Sequence, residues 1–432
     1  MRKINKILKK RSKYLAPSFS LSYDEPLFIE RGEGQYLFDH EGNKYLDAIN
    51  NISHVGHCHP KVVEAAYQQS KLLNTNTRYL HESILDYASN LIDKLPDKLT
   101  TCFFTNSGSE SNDLALRIAR LYNNSRESIV MSGAYHGHTN SLIDISPYKF
   151  FGSGGAGKKD FVHVVPMPDE FAGEHLNTES IFGDYYIRVL KKKIDKIKKD
   201  GKKLAFFIIE PIMGCGGQVI IPSDFMKEAF VLVKEAGGLF IVDEVQIGFG
   251  RVGTHFWGFE MSSVQPDIIT LGKSIGNGHP LSVVVTTKNI AEAFNNGMEY
   301  FNSFGGNPVS CKIGQAVLDI IEEEGLQNNA QETGKYLLNG LNLLQQKNSL
   351  IGDVRGRGLF IGVEIIKNNN KLSPDGIVAD KIVNALRQKR VLISSDGPNH
   401  NVLKIKPPMV FNIQDADYLL ESLEAVLKKI IR

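Results

Sequence analysis

Short β-rich apolar runs alternate with helical patterns through the middle of the chain. Strands joined by crossover helices form a mostly parallel sheet that is covered on both faces. The pattern therefore predicts an α/β fold built on seven such strands. The predicted strands are 101–105, 128–131, 161–165, 204–209, 239–243, 268–271 and 281–286, with helices at 109–121 and 223–236 among the connections.

The two ends of the chain have a different texture. Residues 32–47 resemble a hairpin meander, and after about residue 305 helices precede further strands. We expect both ends to form one small α/β domain against the large one. The predicted divisions are 1–60 and 306–432 for the small domain and 61–305 for the large domain. The predicted C-terminal elements are helices near 308–323, 330–346 and 413–431 and strands near 358–366, 390–394 and 402–406.

Composition narrows the class of protein. Of 432 residues, 42% are hydrophobic and 23% are charged, which is ordinary for a globular protein. A net charge of +2 gives no reason to expect nucleic acid, and the lysine-rich stretch 191–203 is interpreted as a solvated helix face. No apolar run is long enough to span a membrane.

The compartment is predicted from the N-terminus and the cysteines. Residues 1–11 are basic but lack the apolar core of a secretory signal, and their scarce Arg and Ser argue against a mitochondrial presequence. Four scattered cysteines without a Cys-x-x-Cys pair are typical of a reducing compartment. We expect a cytoplasmic protein.

Two charged residues end buried strands. Asp243 closes the run 239–243, and Lys273 follows the run 268–271. The carboxyl ends of parallel strands are where open α/β sheets place ligands. A lysine forms an imine with an aldehyde, and a carboxylate pairs with a protonated ring nitrogen. Together they predict a catalytic site for pyridoxal 5'-phosphate.

A small-residue loop offers a place for the cofactor's phosphate. Ser107, Gly108 and Ser109 follow a strand and open a helix, whose first N–H groups are unpaired. Gly108 allows close approach, and both hydroxyls can donate. A simple helix cap would look the same, but Lys273 and Asp243 favour the phosphate site.

Tyr135 follows the second strand in the segment 134–139. Its ring could stack on the pyridine ring of the cofactor, or it could equally be a tyrosine packed in a turn.

Two motifs are rejected as ligand sites, and no metal is expected. Residues 152–158 fall short of a nucleotide-binding P-loop, since Lys159 stands where Ser or Thr must hold magnesium. His54, His57 and His59 cluster, but their spacing matches no standard zinc site.

These segments resemble the class-III pyridoxal-phosphate aminotransferases of fold type I across essentially the whole chain. The resemblance implies that Lys273 is the Schiff-base lysine, that Asp243 contacts the pyridine nitrogen and that Gln246 lies near the phenolic oxygen. It also implies a homodimer with a shared active site, in which Ser303 reaches the neighbouring subunit's cofactor phosphate. The matching segments are 107–109, 135–137, 210–212, 243–246 with Gly248, Gly250 and Arg251, 271–273 and 305–308.

The chain departs from the transaminating members at three positions. His138 and Lys404 stand where relatives carry Arg, and Cys215 stands where some carry Glu. Lysine cannot hold a carboxylate bidentately as arginine does. The segments 50–60, 146–150, 276–280 and 395–398 resemble instead the ethanolamine-phosphate and 5-phosphohydroxylysine phospho-lyases.

The expected reaction is therefore elimination of phosphate and ammonia from a phosphorylated amine or amino acid to give an aldehyde. Lys273 would be the base, and Lys149 and Lys404 would receive the substrate phosphate. The alternative is a transaminase of the alanine–glyoxylate or ω-amino type, in which the missing arginines are unexpected. A non-catalytic protein on this fold is the third hypothesis, and the presence of Lys273 and Asp243 argues against it.

Overall fold

A computed structural model of the chain describes residues 2–177, 181–367 and 370–430. Within these residues, helices occur at intervals throughout the sequence. They are α1 (Arg2–Tyr14), α2 (Pro60–Leu72), α3 (Glu82–Ile92), α4 (Gly108–Asn123), α5 (Asn140–Ile143), α6 (Pro147–Phe150), α7 (Phe182–Lys199), α8 (Ser223–Glu235), α9 (Lys288–Phe294), α10 (Pro308–Glu323), α11 (Leu326–Lys347), α12 (Gly376–Gln388) and α13 (Ile413–Ile430). Short 3-10 turns cover Glu174–Asn177, Gly258–Ser262 and Lys273–Gly276.

The strands form a central sheet and smaller sheets near the chain ends. They are β1 (Ile29–Glu33), β2 (Tyr36–Asp39), β3 (Lys44–Asp47), β4 (Thr101–Thr105), β5 (Glu127–Met131), β6 (Val162–Val165), β7 (Leu204–Ile209), β8 (Ile212–Met213), β9 (Val219–Ile220), β10 (Leu239–Asp243), β11 (Ile268–Leu271), β12 (Ser282–Thr286), β13 (Ile351–Arg357), β14 (Phe360–Lys367), β15 (Asn370–Pro374), β16 (Val391–Leu392), β17 (Ser394–Asp396) and β18 (Val402–Ile405).

The central sheet has seven strands in the order β4-β12-β11-β10-β7-β5-β6. Only β12 runs antiparallel to its neighbours, β11 and β4. All seven strands match the predicted runs to within a residue, so the predicted mostly parallel sheet is confirmed. Every residue of β7, β10 and β11 is buried, as expected for strands covered on both faces.

Successive residues of a strand point to opposite faces of the sheet. On β7, Phe206 and Ile208 pack with α4, whereas Phe207 and Ile209 belong to the larger cluster that includes α7 and α8. The lysine-rich stretch lies at the end of α7, whose buried stripe includes Leu190, as the solvated-face interpretation requires. Apolar layers therefore cover both faces of the central sheet and fix the position of each strand end.

Strands from both ends of the chain share one sheet. The meander β1-β2-β3 was predicted, and β3 pairs in parallel with β16, with Leu46 opposite Val391. A second sheet joins β13, β14, β18 and β17. Strands from the two ends therefore pair in one sheet, and the division into a small and a large domain stays a prediction.

Several C-terminal boundaries differ from those predicted. Helix α11 begins at Leu326, not near 330, and the expected strand near 390–394 is two short strands, β16 and β17. Strand β13 was missed, because its sequence Ile-Gly-Asp-Val-Arg-Gly-Arg is polar and lies half-buried at a sheet edge. The last residue of the predicted helix 413–431 lies outside the described residues. No helix in the described ranges is both long and apolar enough to cross a bilayer.

Candidate active site

A cavity of about 250 Å³ lies at the carboxyl ends of the central strands. Seven of the predicted site residues line it, and five further residues complete the wall. The predicted residues are Ser107, Gly108, Ser109, Tyr135, Asp243, Gln246 and Lys273; the others are Asn112, His136, Gly137, Glu210 and Val245. The structure thus brings together the lysine, the carboxylate, the aromatic ring and the small-residue loop.

Asp243 is a buried carboxylate with a donor at each oxygen. Its Oδ2 atom accepts a hydrogen bond from Asn112 Nδ2 at 2.8 Å and lies 2.8 Å from His136 Nδ1. Its Oδ1 atom accepts from the Val245 N–H at 3.1 Å. These contacts hold the carboxylate rigidly, so that it can present a negative charge to a cationic group in the cavity.

Lys273 follows β11 and opens a 3-10 turn. Its φ of 40° is in the left-handed region, which costs an L-residue roughly 1–2 kcal/mol and is typical of functional positions. Burial lowers the pKa of its ammonium, and the charges of Asp243 and Glu210 act in the opposite direction. The lowered pKa increases the fraction of neutral amine available as a base.

The start of α4 forms a cradle for an anion. Ser107 caps the helix by accepting a hydrogen bond from the Glu110 N–H at 3.1 Å, which leaves the N–H groups of Gly108 and Ser109 without an intrahelical partner. A Cβ at position 108 would lie 2.7 Å from Val245 Cγ1. The glycine is therefore required for the close packing that sets the helix end against the cavity.

Glu210 was matched to the family by sequence but was given no role. It directly follows β7, whereas Asp243 is the last residue of β10. Its Oε2 atom accepts from the Gly214 N–H at 3.1 Å, and Oε1 is buried without a partner among the described residues. Burial raises the pKa of this carboxyl group, and the nearby charge of Asp243 adds to the effect. The signal in the sequence that could have identified Glu210 is a charged residue placed directly after an apolar strand.

His136 and Asn112 were also missed. His136 stood inside the recognised Tyr-His-Gly turn, and Asn112 is a polar residue on the buried face of α4. Both act through Asp243, and only the fold places them beside it.

Three lysines lie near the cavity in different environments. Lys404 donates to Asp396 Oδ2 at 2.7 Å, and Lys406, which was not predicted, donates to Gln246 Oε1 at 2.8 Å. Burial, followed by the charge of Lys404, lowers the pKa of Lys406 well below its usual value. Lys149 is exposed, with its ammonium 5.5 Å from the centroid of the Tyr135 ring.

Ser303 does not line this cavity. It is exposed in the loop before α10, beside the strongly exposed Phe304. The expectation that Ser303 serves a neighbouring subunit therefore remains a prediction.

The three histidines rejected as zinc ligands have separate partners. His54 accepts from Arg251 Nη2 at 3.1 Å, and its Nε2 atom lies 2.8 Å from the Phe249 carbonyl oxygen. His57 pairs with Asp47 at 2.6 Å, and His59 pairs with Glu324 at 3.0 Å.

The donor set fits pyridoxal phosphate. The start of α4 offers unpaired N–H groups for the phosphate, Asp243 a fixed negative charge for the ring nitrogen, and Lys273 an amine for the aldehyde. Because Gln246 Oε1 accepts from Lys406, its NH₂ group is available as a donor, and the expectation that it would serve the phenolic oxygen stays a prediction.

Fold and site together define a pyridoxal-phosphate-dependent enzyme of fold type I. A family model described as "Aminotransferase class-III" matches residues 19–427. The chain belongs to the class-III aminotransferase family.

Individual relatives carry two different activities in their names. "Alanine--glyoxylate aminotransferase 2-like" of Drosophila melanogaster is 47% identical, over 98% of this chain and 87% of its own length. "Ethanolamine-phosphate phospho-lyase homolog 1" of Caenorhabditis elegans is 40% identical, over 99% of this chain and 94% of its own length. A solved phospholyase from Arthrobacter in complex with phosphoethanolamine superimposes with a TM-score of 0.93 at 37% identity, covering 98% of this chain and 99% of the other.

Proposed function

We propose that the protein is a phospho-lyase that eliminates phosphate from phosphoethanolamine or 5-phosphohydroxylysine. The observation that carries this proposal is the pair Lys404 and Lys406 beside the cavity, together with the absence of arginine among the described residues that line it. A phosphate dianion can be held by point charges, whereas arginine, with its bidentate grip, is the better partner for the carboxylate of a 2-oxo acid. The Arthrobacter and Caenorhabditis relatives support the choice through their names.

The proposed elimination balances without a redox partner. A C–H bond on the amine-bearing carbon and the C–O bond to phosphate break, and water then converts the product to an aldehyde and ammonia. When bound, pyridoxal phosphate supplies an electron sink for the charge that develops on that carbon. Lys273 lines the cavity and has a lowered pKa, so it is our candidate to take up the proton.

Asp243 supports this step through charge. Its two oxygens are held by Asn112, His136 and the Val245 N–H, so it cannot turn away from the cavity. A fixed carboxylate at this point favours a protonated ring nitrogen and with it the acceptance of electrons.

The leaving phosphate would be received by lysines. Lys406 is buried and close to Gln246, whereas Lys149 is exposed above the Tyr135 ring. Lys406 joins the predicted Lys149 and Lys404 as a candidate because its ammonium is already desolvated. An entering dianion would favour its protonated state, opposing the effect of burial.

We also propose a homodimer with a shared site. Two adjacent loops expose large apolar side chains, and Arg78 links them by contacting Glu299 and the Phe301 ring. Leu80 is fully exposed, and Phe304 is 71% exposed beside Ser303. Large exposed apolar side chains on adjacent loops are typical of a subunit interface. A monomeric active enzyme in light-scattering measurements would contradict this proposal.

The alternative function is transamination of the alanine–glyoxylate or ω-amino type. It is favoured by the name of the 47% identical Drosophila relative. It requires a carboxylate site for the second substrate, and Lys404 and Lys406 would have to provide it.

Product analysis separates the two functions. Purified enzyme with pyridoxal phosphate is given phosphoethanolamine or 5-phosphohydroxylysine, with alanine plus glyoxylate in parallel. Equal release of phosphate and ammonia without a 2-oxo acid supports the lyase and identifies its substrate. Amino transfer to glyoxylate without phosphate release refutes it. A colourless protein that pyridoxal phosphate does not alter would instead indicate a non-catalytic role.

A further inference from the structure

Lys404 is not a free cation, because its ammonium group forms an ion pair with the buried carboxylate of Asp396. Strands β17 and β18 are antiparallel neighbours, with Ser394 opposite Lys404 and Asp396 opposite Val402. Across this pairing Lys404 Nζ donates to Asp396 Oδ2 at 2.7 Å. The Asp396 side chain is 6% exposed and that of Lys404 is 17% exposed. The partner of Lys404 is thus built into the same pair of strands and is shielded from water.

The pair lies close to the cofactor cavity, behind the Tyr148 ring, and does not itself line it. The Gly397 N–H donates to the Cys215 carbonyl oxygen at 3.2 Å, which ties the turn after Asp396 to the loop after β8. Burial and then the charge of Asp396 raise the pKa of Tyr148. The Tyr148 ring lies 6.4 Å from the Tyr135 ring, which lines the cavity. A ligand that extends from the cavity beyond Tyr135 towards this pair would therefore find Lys404 already paired.

We infer that Asp396 is a specificity-determining residue that withholds Lys404 from substrate carboxylates; this inference rests on the proposed phospho-lyase function. A carboxylate that approaches Lys404 offers the same chemical group that Asp396 already provides, and Asp396 is held in place by its strand. Exchange of one for the other gains nothing and disrupts a buried pair.

A phosphate monoester differs in charge and in acceptor number. It carries close to two negative charges near neutral pH and presents three acceptor oxygens. The Lys404 ammonium has three donors and uses one for Asp396. A dianion can take the remaining donors with its several acceptor oxygens while the ion pair persists, whereas a carboxylate, with half the charge, gains less from the same donors. The pair thereby favours phosphorylated amines over 2-oxo acids.

A simpler electrostatic account gives the opposite result and can be tested against ours. If Asp396 only lowered the local potential, its removal would strengthen binding of a dianion more than binding of a monoanion, because the gain scales with ligand charge. Our inference requires that removal of Asp396 increases the affinity for a carboxylate more than the affinity for phosphate, because Lys404 is then free to bind the carboxylate.

The experiment compares anion binding to the holoenzymes of wild type, Asp396→Asn, Asp396→Glu and the double variant Asp396→Asn/Lys404→Met. Dissociation constants for acetate and inorganic phosphate are measured by calorimetry at pH 8, where phosphate is mainly dianionic. In Asp396→Asn we expect acetate to bind about tenfold tighter and phosphate to change less than threefold. The gain for acetate should vanish in the double variant, and Asp396→Glu should resemble wild type.

Controls keep the result interpretable. Asp267→Asn removes the carboxylate partner of Lys234 at the opposite end of β11 from Lys273, and its acetate and phosphate affinities should match wild type. Asp396→Ser, shorter and neutral, is used if Asp396→Asn does not fold. The inference is overturned if phosphate gains as much as acetate, if neither affinity changes, or if the double variant keeps the gain.

The binding measurement is independent of turnover. If wild type releases no phosphate from any phosphorylated amine, the proposed function fails whatever the binding data show. If wild type is a phospho-lyase and the acetate-to-phosphate preference of Asp396→Asn is unchanged, only the role of Asp396 fails.

Discussion

Replacing Asp243 by Asn keeps the shape of the side chain and removes its charge. All three groups around it face it as donors: Asn112 Nδ2, His136 Nδ1 and the Val245 N–H. Wherever the new NH₂ group is placed, it meets at least one of these donors. An unsatisfied buried donor costs about 1–3 kcal/mol, so the variant should be slightly less stable but should fold.

The effect on the rate should be larger than the effect on stability. A unit charge about 4 Å from an opposite charge contributes about 4 kcal/mol at an effective dielectric constant of 20. Loss of that contribution in the transition state corresponds to roughly a thousandfold decrease in rate. Because Lys273 is unchanged, the variant should still bind the cofactor and absorb in the visible range.

The assay is phosphate release from phosphoethanolamine, measured beside the visible spectrum of each protein. Asp267→Asn is the matched control: Asp267 also borders a central strand, is buried and is paired with Lys234, but it does not line the cavity. Its rate should stay within about threefold of wild type, as expected for a residue remote from the chemistry. If Asp243→Asn has full cofactor occupancy and its rate of phosphate release falls by less than tenfold, the role assigned to the buried charge is refuted.

Three further predictions test other parts of the site. Lys406→Met should raise the KM for phosphoethanolamine about 10–100-fold, because it removes a desolvated cation worth about 1.4–2.8 kcal/mol, and an unchanged KM in steady-state kinetics would contradict this. Gly108→Ala should weaken cofactor binding, measured by spectral titration, because its Cβ would lie 2.7 Å from a neighbouring methyl carbon; Gly183→Ala, which meets nothing within 4 Å, should not. Glu210→Gln should be compared with wild type by thermal unfolding at pH 5 and pH 8. Burial and Asp243 raise the folded-state pKa of Glu210 above the unfolded value of 4.5, so wild type loses stability relative to the variant as pH rises from 4.5 through the raised pKa. An equal difference in Tm at both pH values would show that Glu210 does not titrate in this way.

The strands of the central sheet were predictable because burial on both faces leaves a continuous apolar run. Residues 204–209 contain no charged residue, and the helix after Gly108 has both a cap and an apolar stripe. Asp243 and Lys273 were identifiable for the same reason, since each is a charge placed directly after such a run.

The missed residues depend on contacts across the fold. Asn112 and His136 are ordinary residues in sequence, and they become important only where α4 and the turn after β5 meet Asp243. Lys404 lies in β18 and Lys406 directly follows that strand. The sequence pointed to Lys404 alone, because it stands where relatives carry Arg. The structure shows that the two lysines have different partners, Asp396 and Gln246, which no local pattern could indicate.

The parallel pairing of β3 with β16 bears on how the protein is made. Leu46 is synthesised about 345 residues before its partner Val391, so the edge of β3 stays uncovered until Val391 has been made. At a synthesis rate of about 5–20 residues per second, the wait is roughly 20–70 seconds. During that time the nascent meander presents an open strand edge, which is a known starting point for aggregation. A truncated chain that ends before residue 391 would therefore keep the β3 edge of its first sheet uncovered. This would hold even if its cofactor-binding domain were complete.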